Sequence, residues 1–211
     1  MSFWAIVPVK PFRTGKSRLA GVLSLDERQT LNRCLLRNTL DRLSNTSGLD
    51  QILVISRDAM ALDLAAKMGA FPVQEISPSN LNLALEKATR MAQEAGPHGV
   101  LILPADLPLL TSADIRAILR CAGEPPAIVI VPDRHHLGTN ALLVNPAGII
   151  KYQFGPGSFQ RHCDSSRRIG VQPVVCDSPS IALDIDFPED LEMVKDGVTS
   201  LLSMINGGHY V

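Results

Sequence analysis

Lys10-Pro-Phe-Arg13-Thr-Gly-Lys16-Ser-Arg18 sets four cations within nine residues, directly after the apolar run Phe3–Val9. A loop with that density of positive charge is suited to holding an anion that carries several negative charges. Its Gly15-Lys16-Ser17 imitates the phosphate loop of nucleoside triphosphate hydrolases, G-x-x-x-x-G-K-[ST]. The first glycine of that motif would fall at position 10, where this chain has Lys10. The hydrolase reading fails there, and Lys10 instead adds a cation at the mouth of the first strand.

The second group of reactive side chains is acidic. Asp106 follows a hydrophobic run in Leu101-Ile-Leu-Pro-Ala-Asp-Leu-Pro-Leu-Leu110, and Pro104 and Pro108 stiffen the turn around it. A carboxylate in such surroundings is costly unless it meets a cation or a hydrogen-bond donor. Paired with a phosphate-holding loop it suits Mg²⁺, which takes one or two carboxylates together with phosphate oxygens and water. The plainer reading makes Asp106 a turn or helix-start acid. Asp184 and Asp186, in Leu183-Asp-Ile-Asp-Phe-Pro-Glu-Asp-Leu191, alternate and so project from one side of an expected strand. Either is a natural second metal ligand, while Asp186 could equally cap the helix that Pro188 opens; the two duties are compatible.

A third group sits in Phe154-Gly-Pro-Gly-Ser-Phe-Gln-Arg-His162, a glycine turn into a helix whose exposed N–H groups and Ser158 hydroxyl suit a phosphate or carboxylate. Ser158 as an ordinary helix cap is the competing reading. Thr139 and Asn140, after Gly138, offer polar groups to the same ligand. His135 and His136 are adjacent and lack a further Cys or His at metal spacing, which argues against zinc. A G-x-S-x-G elbow is also missing, so covalent catalysis has no support.

These residues need a rigid frame. Strand-length apolar blocks are expected at Phe3–Val9, Gln51–Ser56, Phe71–Ile76, Gly99–Pro104, Ala127–Val131, Asn140–Val144, Gln172–Cys176 and Ile181–Ile185. Runs such as ILVI, VLIL and IVIV are apolar on both faces, which implies a sheet covered on both sides and mainly parallel. Between them lie helices with legible ends. Ser24-x-x-Glu27 and Thr111-x-x-Asp114 spell capping boxes, Gly69 and Gly96 stop two helices, and Pro188-Glu-Asp opens the last. The alternation implies an α/β fold, a three-layer αβα sandwich on a mostly parallel mixed sheet. One domain over residues 1–206 is expected, with a frayed tail at 207–211.

Bulk properties narrow the partners. Net charge is −1, so the chain has no global basic field of the kind that binds nucleic acid, and any anion must be held locally. The four cysteines lack C-x-x-C spacing and read as reduced thiols of a cytoplasmic protein. The seven-residue apolar start is too short for a membrane span and lacks the flanks of a signal peptide.

In chain order, VPVKPFRTGKSRLAGVLS, NLNLALEKA, LPADLPLL, DRHHLGTNALLV, FGPGSFQRH and DIDFPEDL extend across nearly the whole chain. Together they resemble the 2-phospho-L-lactate guanylyltransferase family, whose bacterial members often take phosphoenolpyruvate and which serves biosynthesis of the deazaflavin coenzyme F-420. The resemblance implies a nucleotidyltransferase of glycosyltransferase-A-like fold that moves GMP from GTP onto the phosphate of the acid and releases pyrophosphate. By the same resemblance Lys10, Lys16 and Arg18 would hold the GTP phosphates, and Asn82 would lie near the nucleoside. Asp106 with Asp184 and Asp186 would hold Mg²⁺, and Thr139, Gly155 and Ser158 would bind the phosphorylated acid; a homodimer is also implied. Two positions depart from the pattern: Asn80 stands where a glycine is expected, and Phe187 where related sequences usually have threonine. The rival readings are a sister enzyme acting on a sugar phosphate or the molybdenum-cofactor pterin, and a non-catalytic nucleotide-binding module. The sister enzymes should not need the Gly-Pro-Gly-Ser turn, and the module would bind GTP without releasing pyrophosphate.

Overall fold

A computed structural model describes residues 2–75 and 80–194 of the 211-residue chain. Seven strands form one sheet: β1 (Phe3–Val9), β2 (Leu49–Ser56), β3 (Phe71–Gln74), β4 (Gly99–Ile102), β5 (Ala127–Pro132), β6 (Thr139–Asn145) and β7 (Val174–Val175), ordered β3-β2-β1-β4-β6-β5-β7. Pairs β1–β2, β1–β4, β2–β3 and β5–β7 are parallel, and β6 alone runs against its neighbours β4 and β5. The mostly parallel mixed sheet expected from the two-faced apolar runs is therefore present. Ile76, the expected end of the third strand, and the tail at 207–211 lie outside the described residues.

Alternation along the strands builds two cores, one on each face. Ala5, Val7, Ile52, Val54, Leu101, Val129 and Leu143 point to one side, where Leu36 and Leu40 of α1 (Leu25–Ser44), Leu64 of α2 (Ala59–Lys67) and Ile115 and Ile118 of α4 (Ser112–Cys121) cover them. Ile6, Leu53, Ile55, Val100, Ile102, Ile128 and Leu142 point to the other, under Leu85, Ala88 and Ala92 of α3 (Leu81–Ala95) and Cys163 of α5 (Ser158–Arg168). The result is helix, sheet, helix. Both capping boxes form: the Glu27 N–H donates to Ser24 Oγ at 3.3 Å and the Ser24 N–H to Glu27 Oε2 at 2.8 Å. At α4 the Thr111 N–H donates to Asp114 Oδ2 at 2.9 Å and the Asp114 N–H to Thr111 Oγ1 at 3.2 Å.

One expected strand is not there. Pro179 opens a single helical turn, α6 (Pro179–Ala182), and the chain then runs outside the sheet into α7 (Pro188–Met193). Leu183 and Ile185 are apolar because they bury with Leu19, Leu31, Leu35 and Val194 in a third, small cluster, not because they pair in a ladder. Alternation still operates: while these two face the cluster, the intervening acids Asp184 and Asp186 turn toward Asp106.

Candidate active site

Strand β1 has β2 on one side and β4 on the other, so the direction of winding reverses between β1 and β4. Open α/β sheets bind ligands beyond the carboxyl ends of strands at such a switch point. Lys10 stands at the end of β1, and Asp106 follows β4 by four residues. Antiparallel β6 begins at this same end of the sheet, because its Leu142 pairs with Ile102, and so Thr139 joins them at the rim.

The basic loop is held by side chains. Phe12 is fully buried; its N–H donates to Asp58 Oδ2 at 2.7 Å, and its carbonyl accepts from Asn32 Nδ2 at 2.9 Å. Gly15 is required for close approach: a Cβ there would stand 2.7 Å from Asn32 Nδ2. Lys16 follows with a left-handed backbone, φ 55°, and a short 3-10 turn, Ser17–Leu19, sets Leu19 into the third cluster against Ile185. Sequence reasoning missed Asp58 and Asn32 as anchors of this loop because their partner Phe12 lies 46 and 20 residues away; the local duty of Asp58 is to cap α2.

This geometry brings Lys16, Arg18, Asp106 and Asp186 together. Lys16 Nζ donates to Asp106 Oδ2 at 2.8 Å and to Asp186 Oδ1 at 3.2 Å, with its side chain only 6% exposed. Arg18 reaches Asp186 Oδ2 at 3.2 Å and lies 4.7 Å over the Phe187 ring. Burial opposes the Lys16 charge, but Asp106 and then Asp186 outweigh it and hold its pKa above the ordinary lysine value. Burial likewise works against the Asp106 carboxylate, yet Lys16 and, more weakly, Lys10 keep its pKa below the ordinary range. For Asp184 the compensation from its backbone hydrogen bond and from Lys16 is too small to prevail. Burial, then the charges of Asp106 and Asp186, push it up to about 6.

Asp106, Asp184 and Asp186 each offer a carboxylate oxygen, all within 4.8 Å of one another. Three hard oxygen donors with more negative charge than Lys16 neutralises suit a hard divalent cation. Neither Asp106 nor Asp186 serves as a helix cap. The cap of α4 is Thr111; at α7 the cap position belongs to Phe187, and Asp190, inside the first turn, accepts the Asp186 and Phe187 N–H groups on its Oδ2 at 2.8 and 2.7 Å.

Thr139 opens β6, and Gly155 and Ser158 belong to the turn into α5. Ser158 is the first residue of α5; the cap position belongs to Gly157, whose φ of 72° favours glycine. Thr139 Oγ1 lies 3.0 Å from His162 Nδ1, and His162 Nε2 accepts the Gln153 N–H at 3.0 Å. Asn140 donates to the Ile181 carbonyl at 2.8 Å and reaches Asp184 Oδ1 at 3.5 Å, linking this side to the acids. Asn82 places both amide atoms on one residue: its Oδ1 accepts the Phe154 N–H at 2.8 Å and its Nδ2 donates to the Phe154 carbonyl at 3.3 Å. Of the two adjacent histidines, His135 accepts from Arg134 Nε at 3.0 Å and His136 packs edge-on against Phe159.

Sheet order and strand directions define a fold of the glycosyltransferase-A-like type. The fold matches a nucleotidyl transferase from Methanothermobacter thermautotrophicus at TM-score 0.67 and 16% identity, over 94% of this chain and 98% of that one. It also matches 4-diphosphocytidyl-2C-methyl-D-erythritol synthase at TM-score 0.64 and 14% identity, over 94% and 100%. Within that class, residues 3–198 match the family model described as guanylyl transferase CofC like, and the chain belongs to that family. It is 45% identical to a phosphoenolpyruvate guanylyltransferase of Rubrobacter xylanophilus over 92% of this chain and 94% of the relative. To a 2-phospho-L-lactate guanylyltransferase of Methanobrevibacter smithii it is 31% identical, over 92% and 84%.

Proposed function

We propose that this protein transfers GMP from GTP to the phosphate of a small phosphorylated carboxylic acid, phosphoenolpyruvate or 2-phospho-L-lactate, releasing pyrophosphate, as a step toward coenzyme F-420. The observation that carries the reading is the meeting of Lys16 with Asp106 and Asp186 at the switch point. Membership of the family and the names of the relatives support it.

Lys10, Lys16 and Arg18 would grip the triphosphate, with Lys10 and Lys16 stabilising charge that moves onto pyrophosphate. Asn82, at the start of α3, would border the nucleoside while its amide holds Phe154. Thr139, Gly155 and Ser158 would hold the acid so that one of its phosphate oxygens faces the α-phosphorus in line. Asp106, Asp184 and Asp186 would hold Mg²⁺, which when bound supplies charge neutralisation for the phosphates. Phosphoryl-type transfer asks little covalent work of a protein, so positioning and electrostatics carry the rate. Among the described residues no helix is long and apolar enough to cross a membrane. The four free cysteines suit the reducing cytoplasm where we place the enzyme, and a homodimer belongs to the same reading.

The test incubates protein, GTP and Mg²⁺ separately with phosphoenolpyruvate, 2-phospho-L-lactate and 3-phosphoglycerate and identifies products by mass. A guanylylated acid is expected; absence of a guanylylated product from all three acids would overturn the reading.

A further inference from the structure

We propose that His162, which need not touch either substrate, is the positioning residue that fixes the acceptor side of the site. The inference rests on the proposed function above and extends it to a residue in its interior.

His162 lies in α5 with no exposed surface. Its ring joins the three pieces that would surround the acid: Thr139 at the start of β6, the segment at Gln153, and α5 itself, whose first residue is Ser158. The network determines the tautomer. The backbone N–H of Gln153 can only donate, so Nε2 carries no hydrogen. Burial keeps the ring neutral, with a pKa lowered to about 4. The single ring hydrogen is therefore on Nδ1 and is donated to Thr139 Oγ1. With its oxygen engaged as acceptor, the Thr139 hydroxyl turns its own hydrogen away from the histidine and keeps it for the acceptor's anionic oxygens.

The same ring helps immobilise the segment leading into Gly155. Four consecutive backbone groups there are each bound by a side chain. The Gln153 N–H goes to His162, and the Gln153 carbonyl accepts from Arg161 Nη2 at 2.8 Å. The Phe154 N–H and carbonyl both go to Asn82. Phe154 packs its ring edge-on to His162 at 4.8 Å between centroids. Gly155 follows with φ 120°, a conformation that only glycine adopts readily, so no side chain of its own fixes the backbone there and this frame holds the segment that leads into it. Orienting partners placed behind a contacting side chain commonly change affinity or rate about 10-fold to 100-fold when removed.

Two variants divide the ring's duties. His162→Asn offers a donor where Nδ1 stood and loses the acceptor for Gln153; His162→Gln offers an acceptor near the Nε2 position and loses the donor to Thr139. Steady-state kinetics on both, on Thr139→Val and on the double variant Thr139→Val/His162→Gln should show KM for phosphoenolpyruvate raised about 10-fold, with KM for GTP within about twofold of the parent. The double variant should be no worse than the worse of its two parents, since both act through one hydroxyl. Equal rises in both KM values, or fully additive losses in the double variant, would reduce His162 to a core residue and overturn the proposal. Should the variants fail to fold, ¹⁵N NMR of histidine in the parent protein decides: a hydrogen on Nδ1, a bare Nε2 and no titration between pH 5 and 8 are expected, and the opposite tautomer overturns it. A parent protein that guanylylates none of the three acids would instead refute the proposed function, and this inference with it.

Discussion

Lys16 Nζ sits 2.8 Å from Asp106 Oδ2, joining the loop after β1 to the loop after β4 across 90 residues of sequence. The contact closes the switch point of the sheet and puts a cation between two of the three clustered acids. Its consequences are testable from both partners.

Asp106→Ala removes a proposed metal ligand and the main partner of Lys16. Turnover should fall at least ~100-fold, the scale seen when one transition-state-stabilising group is deleted. Near-normal turnover in a pyrophosphate-release assay would contradict the metal assignment.

Lys16→Met should lower both turnover and the stability of the metal-free protein. Turnover falls, because the cation proposed to stabilise charge on the leaving pyrophosphate is lost. Meanwhile three crowded carboxylates lose their internal cation, so the metal-free protein should be destabilised by about 2 kcal/mol, the scale of a charge-assisted hydrogen bond. Added Mg²⁺ should raise the thermal midpoint of this variant more than that of the parent. Thermal unfolding with and without the ion reads the difference.

Asn82→Ala frees both backbone groups of Phe154. KM for the acid should rise about 10-fold through the loosened glycine turn, with a smaller change in KM for GTP. A dominant rise in KM for GTP would place the residue's main duty at the nucleoside.

Phe187→Thr tests the departure from related sequences. The ring is half exposed and lies 4.7 Å beneath the Arg18 guanidinium. A contact of this kind contributes about 0.5–1 kcal/mol at an exposed site. Turnover should survive, with KM for GTP raised roughly two- to fivefold as Arg18 loses one of its two restraints, the other being Asp186.

The pH dependence of stability follows from His162. Its folded-state pKa of about 4 lies below the ordinary 6.5, so the unfolded chain binds more protons between those values. Stability should therefore be lost as pH falls from about 6.5 toward 4, by roughly 3 kcal/mol at the full shift. Asp184, raised from 3.8 to about 6, works with the opposite sign in nearly the same window. Comparing the parent with His162→Gln cancels the aspartate and isolates the histidine: denaturant unfolding at pH 7 and pH 4.5 should show the parent losing more stability than the variant.

The periodic part of the fold was legible in the sequence. Strand runs such as Ile52–Ile55 and the capping boxes at Ser24 and Thr111 rest on local rules, and they stand where those rules put them. The segment Leu183–Asp186 shows the limit. Its alternation is that of a strand, but alternation reports only that two faces differ, and here the apolar face meets Leu19 and Leu35 beneath the basic loop. Lys10, Lys16 and Asp106 could be found because like or hard charges stood out against apolar surroundings. His162 could not. It lay in a motif read for its glycines, and its meaning depends on Thr139, 23 residues away.

The central claim is guanylyl transfer, and its most direct measurement follows ³¹P NMR of GTP, Mg²⁺ and phosphoenolpyruvate with the enzyme. One pyrophosphate should form for each new phosphoanhydride joining GMP to the acid. Orthophosphate and GDP in place of these products would contradict it.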